Sequence, residues 1–309
     1  LYSLVPSRAF FPRGFYWDEG FHLLQLLEYD FELCFEILQS WFNQIDENTG
    51  WVARELILGE EARSKVPEEF QVQSPQVANP PTLLLAFSEI MKRAVDTSSK
   101  RKNDTRAETS FDKDNMKINA SLLMEYAKKI YPTLVKHYNW FKKTQKGCAD
   151  EYSAYFEEEE GYDMSSVNFN ELYRWAGRSL DHCLPSGLDD YPRADYVDIS
   201  EMNVDALAWV GAFSRSLKEL AEILGYQDEV AEYSKHEEEA IKNLHNFHWS
   251  SAHKAFCDVA INPFTDEMEH ICHEGYISLL PFALKLLPKN SSTLPYVLEL
   301  MSDRSKIFS

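Results

Sequence analysis

Glycine is scarce in this chain, 11 of 309 residues, which argues against a turn-rich all-β architecture. Basic residues are outnumbered: 31 Lys and Arg stand against 50 Asp and Glu, a formal charge of −19. Polyphosphate would be repelled, so nucleic acid is not an expected partner. No apolar run reaches 18 residues, so no membrane span is expected here. None of the five cysteines (Cys34, Cys148, Cys183, Cys257, Cys272) forms a C-x-x-C pair, and zinc is unsupported. Their odd count leaves at least one thiol unpaired and neither demands nor excludes an oxidising compartment. Nothing resembles a nucleotide loop, a serine or cysteine triad, or a metal cluster, and no cofactor or metal is expected. No signal peptide opens the chain and Leu1 is not an initiator Met. A fragment is therefore expected, with any targeting sequence or membrane anchor upstream of Leu1.

What is present is an apolar fraction of 44%, enough for a sizeable core. Apolar residues recur at helical spacing from Trp17 to Asn43, through Phe21, Leu24, Leu27, Phe31, Phe35, Leu38 and Phe42. Asp18 and Glu19 fall in that helix's first turn, where the dipole favours negative charge. Pro80-Pro81 starts a second helix. A third is expected from about Ala120 to Lys143. Two more run from about Ile199 or Ser200, a plausible N-cap, to Leu224 and from Asp228 to Asn246. Gly275 to Leu287 and a stretch from Thr293 complete the set, with one or two short strands between His245 and Asp258. Residues 94–115 are rich in Ser, Thr, Lys, Asp and Asn and read as a mobile, disordered surface insertion. The run Glu157 to Glu160 reads as a solvated loop. Helices in pairs without βα alternation suit an all-α toroid or an α-solenoid, which periodicity does not separate.

The chemistry concentrates in Cys183-Leu-Pro-Ser-Gly-Leu-Asp-Asp-Tyr-Pro-Arg193. Pro185, Ser186 and Gly187 make a turn that presents two adjacent carboxylates, Asp189 and Asp190. Irregular backbone aims neighbours in different directions, so one Asp can enter a pocket while the other braces the loop. Tyr173, Arg174, Trp175 and Arg178 precede the two acids, Tyr191 and Tyr196 follow them, and Arg193 supplies a nearby cation. Acids among aromatic faces are what a sugar site needs, although an Asx-turn capping the next helix uses the same residues.

Ser186-Gly-Leu-Asp-Asp-Tyr-Pro-Arg193 resembles the catalytic-acid loop of glycoside hydrolase family 63, which includes the processing α-glucosidases of N-glycan maturation. Four further blocks resemble the family in the same order. They are Pro-Ser-Arg-Ala-Phe-Phe-Pro-Arg-Gly-Phe-Tyr-Trp-Asp-Glu-Gly-Phe-His (6–22), Gly50 to Arg63, Gln76-Val-Ala-Asn-Pro-Pro-Thr-Leu83 and Asn203-Val-Asp-Ala-Leu-Ala-Trp209. Five long blocks in order are far more specific than one short motif.

The resemblance implies an (α/α)6 barrel. About seven or eight helices are legible against the family's twelve, so an incomplete catalytic barrel is expected over residues 1–309. It implies an inverting exo-glucosidase with Asp189 as general acid, Asp190 bracing it, and the terminal α-1,2-linked glucose of Glc3Man9GlcNAc2 as target. Glucosylated high-mannose N-glycan on nascent glycoproteins would be the partner and the endoplasmic reticulum lumen the location. Three Asn-X-Ser/Thr sequons, at Asn103, Asn119 and Asn290, favour that route only mildly. Trp17 would wall the glucose, Asp18 would accept its hydroxyls, and Arg13 and Phe15 would line the pocket. Trp175, Arg178 and Arg193 are further sugar-contact candidates. Arg54 and Glu55 are equally readable as a structural ion pair, and His22 as a satisfied helix histidine. The family's general base is a Glu after a Tyr-Trp-Arg-Gly-Pro block. No such block occurs in residues 1–309, so the base is expected outside them. Glu267, Glu269 and Glu274 read as surface charges. Two alternatives are a related inverting α-glucosidase on another glucoside and a catalytically inactive glycan-binding fragment.

Overall fold

A computed structural model describes residues 2–103, 120–158 and 163–306. The chain divides into two compact units: Leu1–Phe141 with Arg215–Tyr233, and Lys142–Ser214 with Ser234–Ser309. Among the described residues, helices dominate both, and the strands form three two-stranded antiparallel pairs.

The first unit opens with β1 (Gly14–Phe15), α1 (Tyr16–Leu26) and α2 (Phe31–Phe42). Periodicity predicts one helix over Trp17 to Asn43, and two are found. The break has a local cause: the Asp30 side chain accepts the Leu33 N–H at 3.0 Å and so caps a new helix. β2 (Glu55–Leu56) pairs with β1, Phe15 opposite Glu55. Two short helices follow, α3 (Gly59–Ser64) and α4 (Glu68–Gln71), and then α5 (Thr82–Asn103) and α6 (Ala120–Thr144). The helix α5 continues through Asn103, so it takes in the first part of the stretch expected as an insertion. Residues 104–115 of that stretch lie outside the described residues.

Helices α1 and α5 meet closely. A Cβ on Gly20 would lie 2.3 Å from Thr82, so only a bare glycine fits the crossing. The Thr82 hydroxyl donates to the Trp17 carbonyl at 2.5 Å. Leu23, Leu38, Trp41, Leu83, Phe87, Leu134 and Phe141 are fully buried in this unit. Within the core the Tyr16 hydroxyl bonds His137 Nε2 at 2.8 Å, and His137 Nδ1 bonds the Gly50 carbonyl at 2.8 Å. A carbonyl only accepts, so Nδ1 carries the proton and Nε2 accepts from Tyr16. Burial pushes the His137 pKa down to about 4.

The second unit takes in α7 (Asp150–Glu158), and α8 (Val204–Leu224) and α9 (Gln227–Asn246) begin and end in different units. Glu157 and Glu158 of the expected solvated run end α7, whereas Glu159 and Glu160 lie outside the described residues. The strands are β3 (Trp249–Ser250), β4 (Ala255–Phe256), β5 (Asp258–Ile261) and β6 (Met268–Ile271). Two helices close the unit, α10 (Tyr276–Ala283) and α11 (Leu294–Ser302). Tyr152, Phe156, Val167, Leu172, Met202, Phe247 and Val259 pack as one apolar cluster.

Two boundaries differ from expectation. Ser200 is not an N-cap. Its hydroxyl exchanges bonds with the N–H and carbonyl of Ile261, and Met202 bridges Val259, so this stretch runs beside β5 before α8 starts. α10 stops at Ala283 and not at Leu287, because Lys285 adopts a positive φ of 58°.

Candidate active site

The loop from Cys183 to Arg193 lies wholly in the second unit. It closes on itself. A 3-10 turn over Leu184–Ser186 ends at Gly187, whose φ of 75° suits glycine. The Ser186 hydroxyl donates to the Cys183 carbonyl at 2.8 Å and accepts the Leu188 N–H at 3.1 Å. Cys183 N–H then donates to the Asp189 carbonyl at 2.9 Å, and Tyr191 N–H to that of Leu188 at 3.0 Å. With its backbone thus occupied, the loop presents Asp189 and Asp190 as exposed residues. An Asx-turn capping α8 is not what these residues build, since α8 starts at Val204, well beyond them.

Behind the loop sits a buried ionic cluster. Arg193 Nη2 meets Asp205 Oδ2 at 2.6 Å, and Nη1 meets Asp258 Oδ2 at 2.8 Å. Asp258 also accepts the Val204 N–H at 2.8 Å, which caps α8 from a distant strand, and Asn203 Nδ2 at 3.2 Å. Arg178 Nε lies 3.3 Å from Glu201 Oε2, and its Nη2 donates to the Ala194 carbonyl at 2.5 Å. Two guanidiniums therefore face three carboxylates, all side chains at most 2% exposed. The excess of negative charge has a consequence for Glu201. Burial and the nearby Asp258 raise its pKa to about 7, with Arg178 opposing. Arg193 is held charged: burial opposes its charge, but Asp205 and Asp258 outweigh that and hold its pKa well above the usual value.

Three of the expected sugar contacts are buried here. Trp175 is fully buried, and its backbone N–H donates to Asn203 Oδ1 at 2.9 Å. Arg178 and Arg193 are drawn into the cluster beneath the loop, where they support it.

On the outer side, His273 holds the loop's second half. Its Nε2 donates to the Arg193 carbonyl at 3.1 Å, and its own carbonyl accepts the Tyr191 hydroxyl. A cavity of about 700 Å³ opens there, lined by Tyr191, Pro192, His253, Cys272, His273, Glu274, Gly275, Tyr276 and Lys306. Glu274 reaches Lys306 and lies 3.8 Å from His253, so it is a partnered charge at a rim. Aromatic faces beside paired charges suit a polar ligand with apolar faces, which describes a sugar. Cys257 and Cys272 form a disulfide just beyond the β5–β6 ladder.

The remaining expected residues lie in the first unit. Arg13 Nε bonds Glu55 Oε2 at 2.5 Å and Arg54 Nη2 bonds Glu55 Oε1 at 2.7 Å. Arg54 and Glu55 thus form the ion pair that is one of their two readings, and Arg13 joins it. The Arg13 guanidinium stacks over Phe15 at 4.7 Å and over Phe11 at 5.6 Å. Trp17 and Asp18, half-buried, follow in the first turn of α1. Trp17 packs edge-on against Phe21, ring centroids 5.4 Å apart. Glu19 is buried and accepts from Ser3 Oγ and Leu4 N–H, which is a structural role. His22, expected to be satisfied, has a buried Nδ1 with no hydrogen-bond partner among the described residues.

Sequence reasoning misses Glu201, Asp258, His273 and the disulfide. Asp205 lies inside a recognised block, but nothing in its neighbours points to Arg193. Cys257-Asp258 and Cys272-His273 carry a weak signal, two cysteines each followed by a polar residue. No cluster of three metal-ligating side chains occurs among the described residues, and no described helix is long and apolar enough to cross a membrane.

Known proteins resemble this chain along its length. Residues 1–309 match the model of the glycosyl hydrolase family 63 C-terminal domain. The chain is 56% identical over 317 residues to the mannosyl-oligosaccharide glucosidase of Saccharomyces cerevisiae and 43% identical to the probable one of Schizosaccharomyces pombe. All of this chain is covered, and it spans 38% of the length of each relative. Among solved structures, a GH63 mannosylglycerate hydrolase from Thermus thermophilus superposes with a TM-score of 0.60 at 14% identity, over 98% of this chain and 73% of that one. This last likeness concerns the fold, the helical toroid that the resemblance to the family implies and that periodicity alone left open. The chain belongs to glycosyl hydrolase family 63, within its C-terminal domain.

Proposed function

We propose that the protein containing this chain is an inverting α-glucosidase of N-glycan processing, acting in the endoplasmic reticulum lumen. Its reaction would release the terminal α-1,2-linked glucose from triglucosylated high-mannose glycan. The observation that carries this reading is the self-closed loop that exposes Asp189 above a buried ionic cluster. Asp189 acts as general acid and protonates the leaving glycosidic oxygen. A bound sugar excludes water from the loop, which favours the neutral form of a carboxyl. Asp190 braces the loop beside it. Arg13, Phe15, Trp17 and Asp18 line the glucose site, with the ring of Trp17 against the sugar's C–H face and Asp18 accepting hydroxyls. A carboxylate outside residues 1–309 serves as general base and activates water on the opposite face. In inverting enzymes the two carboxyls stand roughly 6.5–9.5 Å apart.

The identity to mannosyl-oligosaccharide glucosidases supports the glycan over small glucosides. The Cys257–Cys272 disulfide fits an oxidising compartment. The test uses the full-length protein with triglucosylated glycan and, in parallel, simple α-glucosides and mannosylglycerate. Glucose released from the glycan alone is the expected result. Asp189→Asn should lower turnover by roughly 10²–10⁴-fold with glycan affinity retained. Wild-type turnover in that variant removes Asp189 from the acid role. Saturable binding of glycan without release in the parent protein would favour a glycan-binding module.

A further inference from the structure

The Cys257–Cys272 bridge stands at one end of the β5–β6 ladder, just past the terminal pair of Asp258 and Ile271. Its Cα atoms are 4.8 Å apart, so it continues the ladder as a covalent rung. Each half-cystine is followed directly by a residue that grips the acid loop. Asp258, after Cys257, holds the Arg193 guanidinium from beneath and caps α8. His273, after Cys272, holds the Arg193 carbonyl and the Tyr191 hydroxyl from outside. Arg193 is thus fixed by its side chain through one strand and by its backbone through the other. Tyr191 and Arg193 follow Asp189 by two and four residues. The disulfide joins the two chain segments from which these grips come.

We propose that the disulfide, with Asp258 and His273, is a positioning device for Asp189: the covalent rung fixes the distance between two clamps and so fixes the loop that carries the acid. This rests on the role of Asp189 given above. The general chemistry is that a displacement of about 1 Å at a catalytic group can cost on the order of 100-fold in rate. A bridge that merely stabilised the fold would, when removed, lower the melting temperature and leave turnover per folded molecule unchanged.

The experiment takes the full-length protein as Cys257→Ala/Cys272→Ala and, separately, as His273→Ala and His273→Gln. Two readouts are made below the melting temperature of every variant. Amide hydrogen exchange over residues 183–193 needs no substrate, so it judges the clamp even if the proposed reaction is wrong. Turnover is expressed per site titrated with a glucose-like iminosugar. The double variant should exchange at the Cys183 and Tyr191 amides about tenfold faster or more, with exchange in α6 unchanged. Its kcat should fall by about 10–100-fold with KM within about twofold. His273→Ala should follow in the same direction, and His273→Gln, which keeps a donor for the Arg193 carbonyl, should recover most of both. Unchanged exchange at 183–193 in the double variant overturns the proposal. So does faster exchange with wild-type kcat per titrated site. Absence of glucose release in the parent protein would sink the functional reading, and the exchange result would still decide the clamp.

Discussion

Two arginine clusters, one in each unit, differ in burial. In the first unit Arg13 and Arg54 both bond the carboxylate of Glu55, and the Arg54 side chain is 15% exposed. In the second, Arg178 and Arg193 face Glu201, Asp205 and Asp258, an excess of one negative charge, and nothing there is more than 2% exposed. Burial sets them apart. Partial exposure lets water screen the Arg54 charge. A negative excess sealed from water cannot meet a ligand. It must be relieved internally, by holding Arg193 charged and by pushing Glu201 towards its neutral form.

The sharpest way to break this contrast is to remove one cation from each cluster. Arg193→Met leaves Asp205 and Asp258 buried without their partner and should cost about 3–5 kcal/mol. Arg54→Met leaves Arg13 on Glu55 and removes a less buried cation, so it should cost less. Urea unfolding of the two variants measures the difference, and equal losses would mean that burial does not separate the clusters. A smaller effect tests the sign of the excess. The folded pKa of Glu201, about 7, lies above the ordinary carboxylate value. The folded state therefore holds this proton more tightly, and its contribution to stability is full at low pH and declines as pH rises from about 4.5 through 7. Glu201→Gln keeps the shape and removes the titration, so the variant should lose less stability than the parent between pH 5 and pH 7.5. Parallel curves of melting temperature against pH would show that Glu201 stays ionised throughout.

Some of this is legible in residue order. Helix α6 is expected over Ala120 to Lys143 and runs over Ala120–Thr144, because its apolar stripe of Tyr126, Ile130, Leu134, Tyr138 and Phe141 is unbroken. Leu122, which the same periodicity includes, is exposed, and Leu123 is buried in its place. The break between α1 and α2 escapes notice because the stripe continues in phase across it, and only the capping bond of Asp30 ends the register. The turn at Pro185, Ser186 and Gly187 is local chemistry, so it can be read. Its supports cannot. Arg193 looks like a free cation beside two acids, and its partners arrive from α8 and from a strand 65 residues away. Trp175 looks like a sugar platform because aromatic content says nothing about burial. Tertiary contacts decide both, and single-sequence patterns do not carry them.

Asp258 ties the start of α8 and the Arg193 side chain to one distant strand. It caps α8 from 54 residues down the chain and grips Arg193 from 65. The first turn of α8 can wind only loosely until the β5–β6 hairpin has formed and docked, since closing so long a loop precedes any reward from the contact. The loop of residues 183–193 is therefore expected to assemble late, and Asp258→Asn should slow folding little while speeding unfolding, with a Φ value near zero. A nascent chain would then wind most of its helices before the Arg193 loop takes its final form.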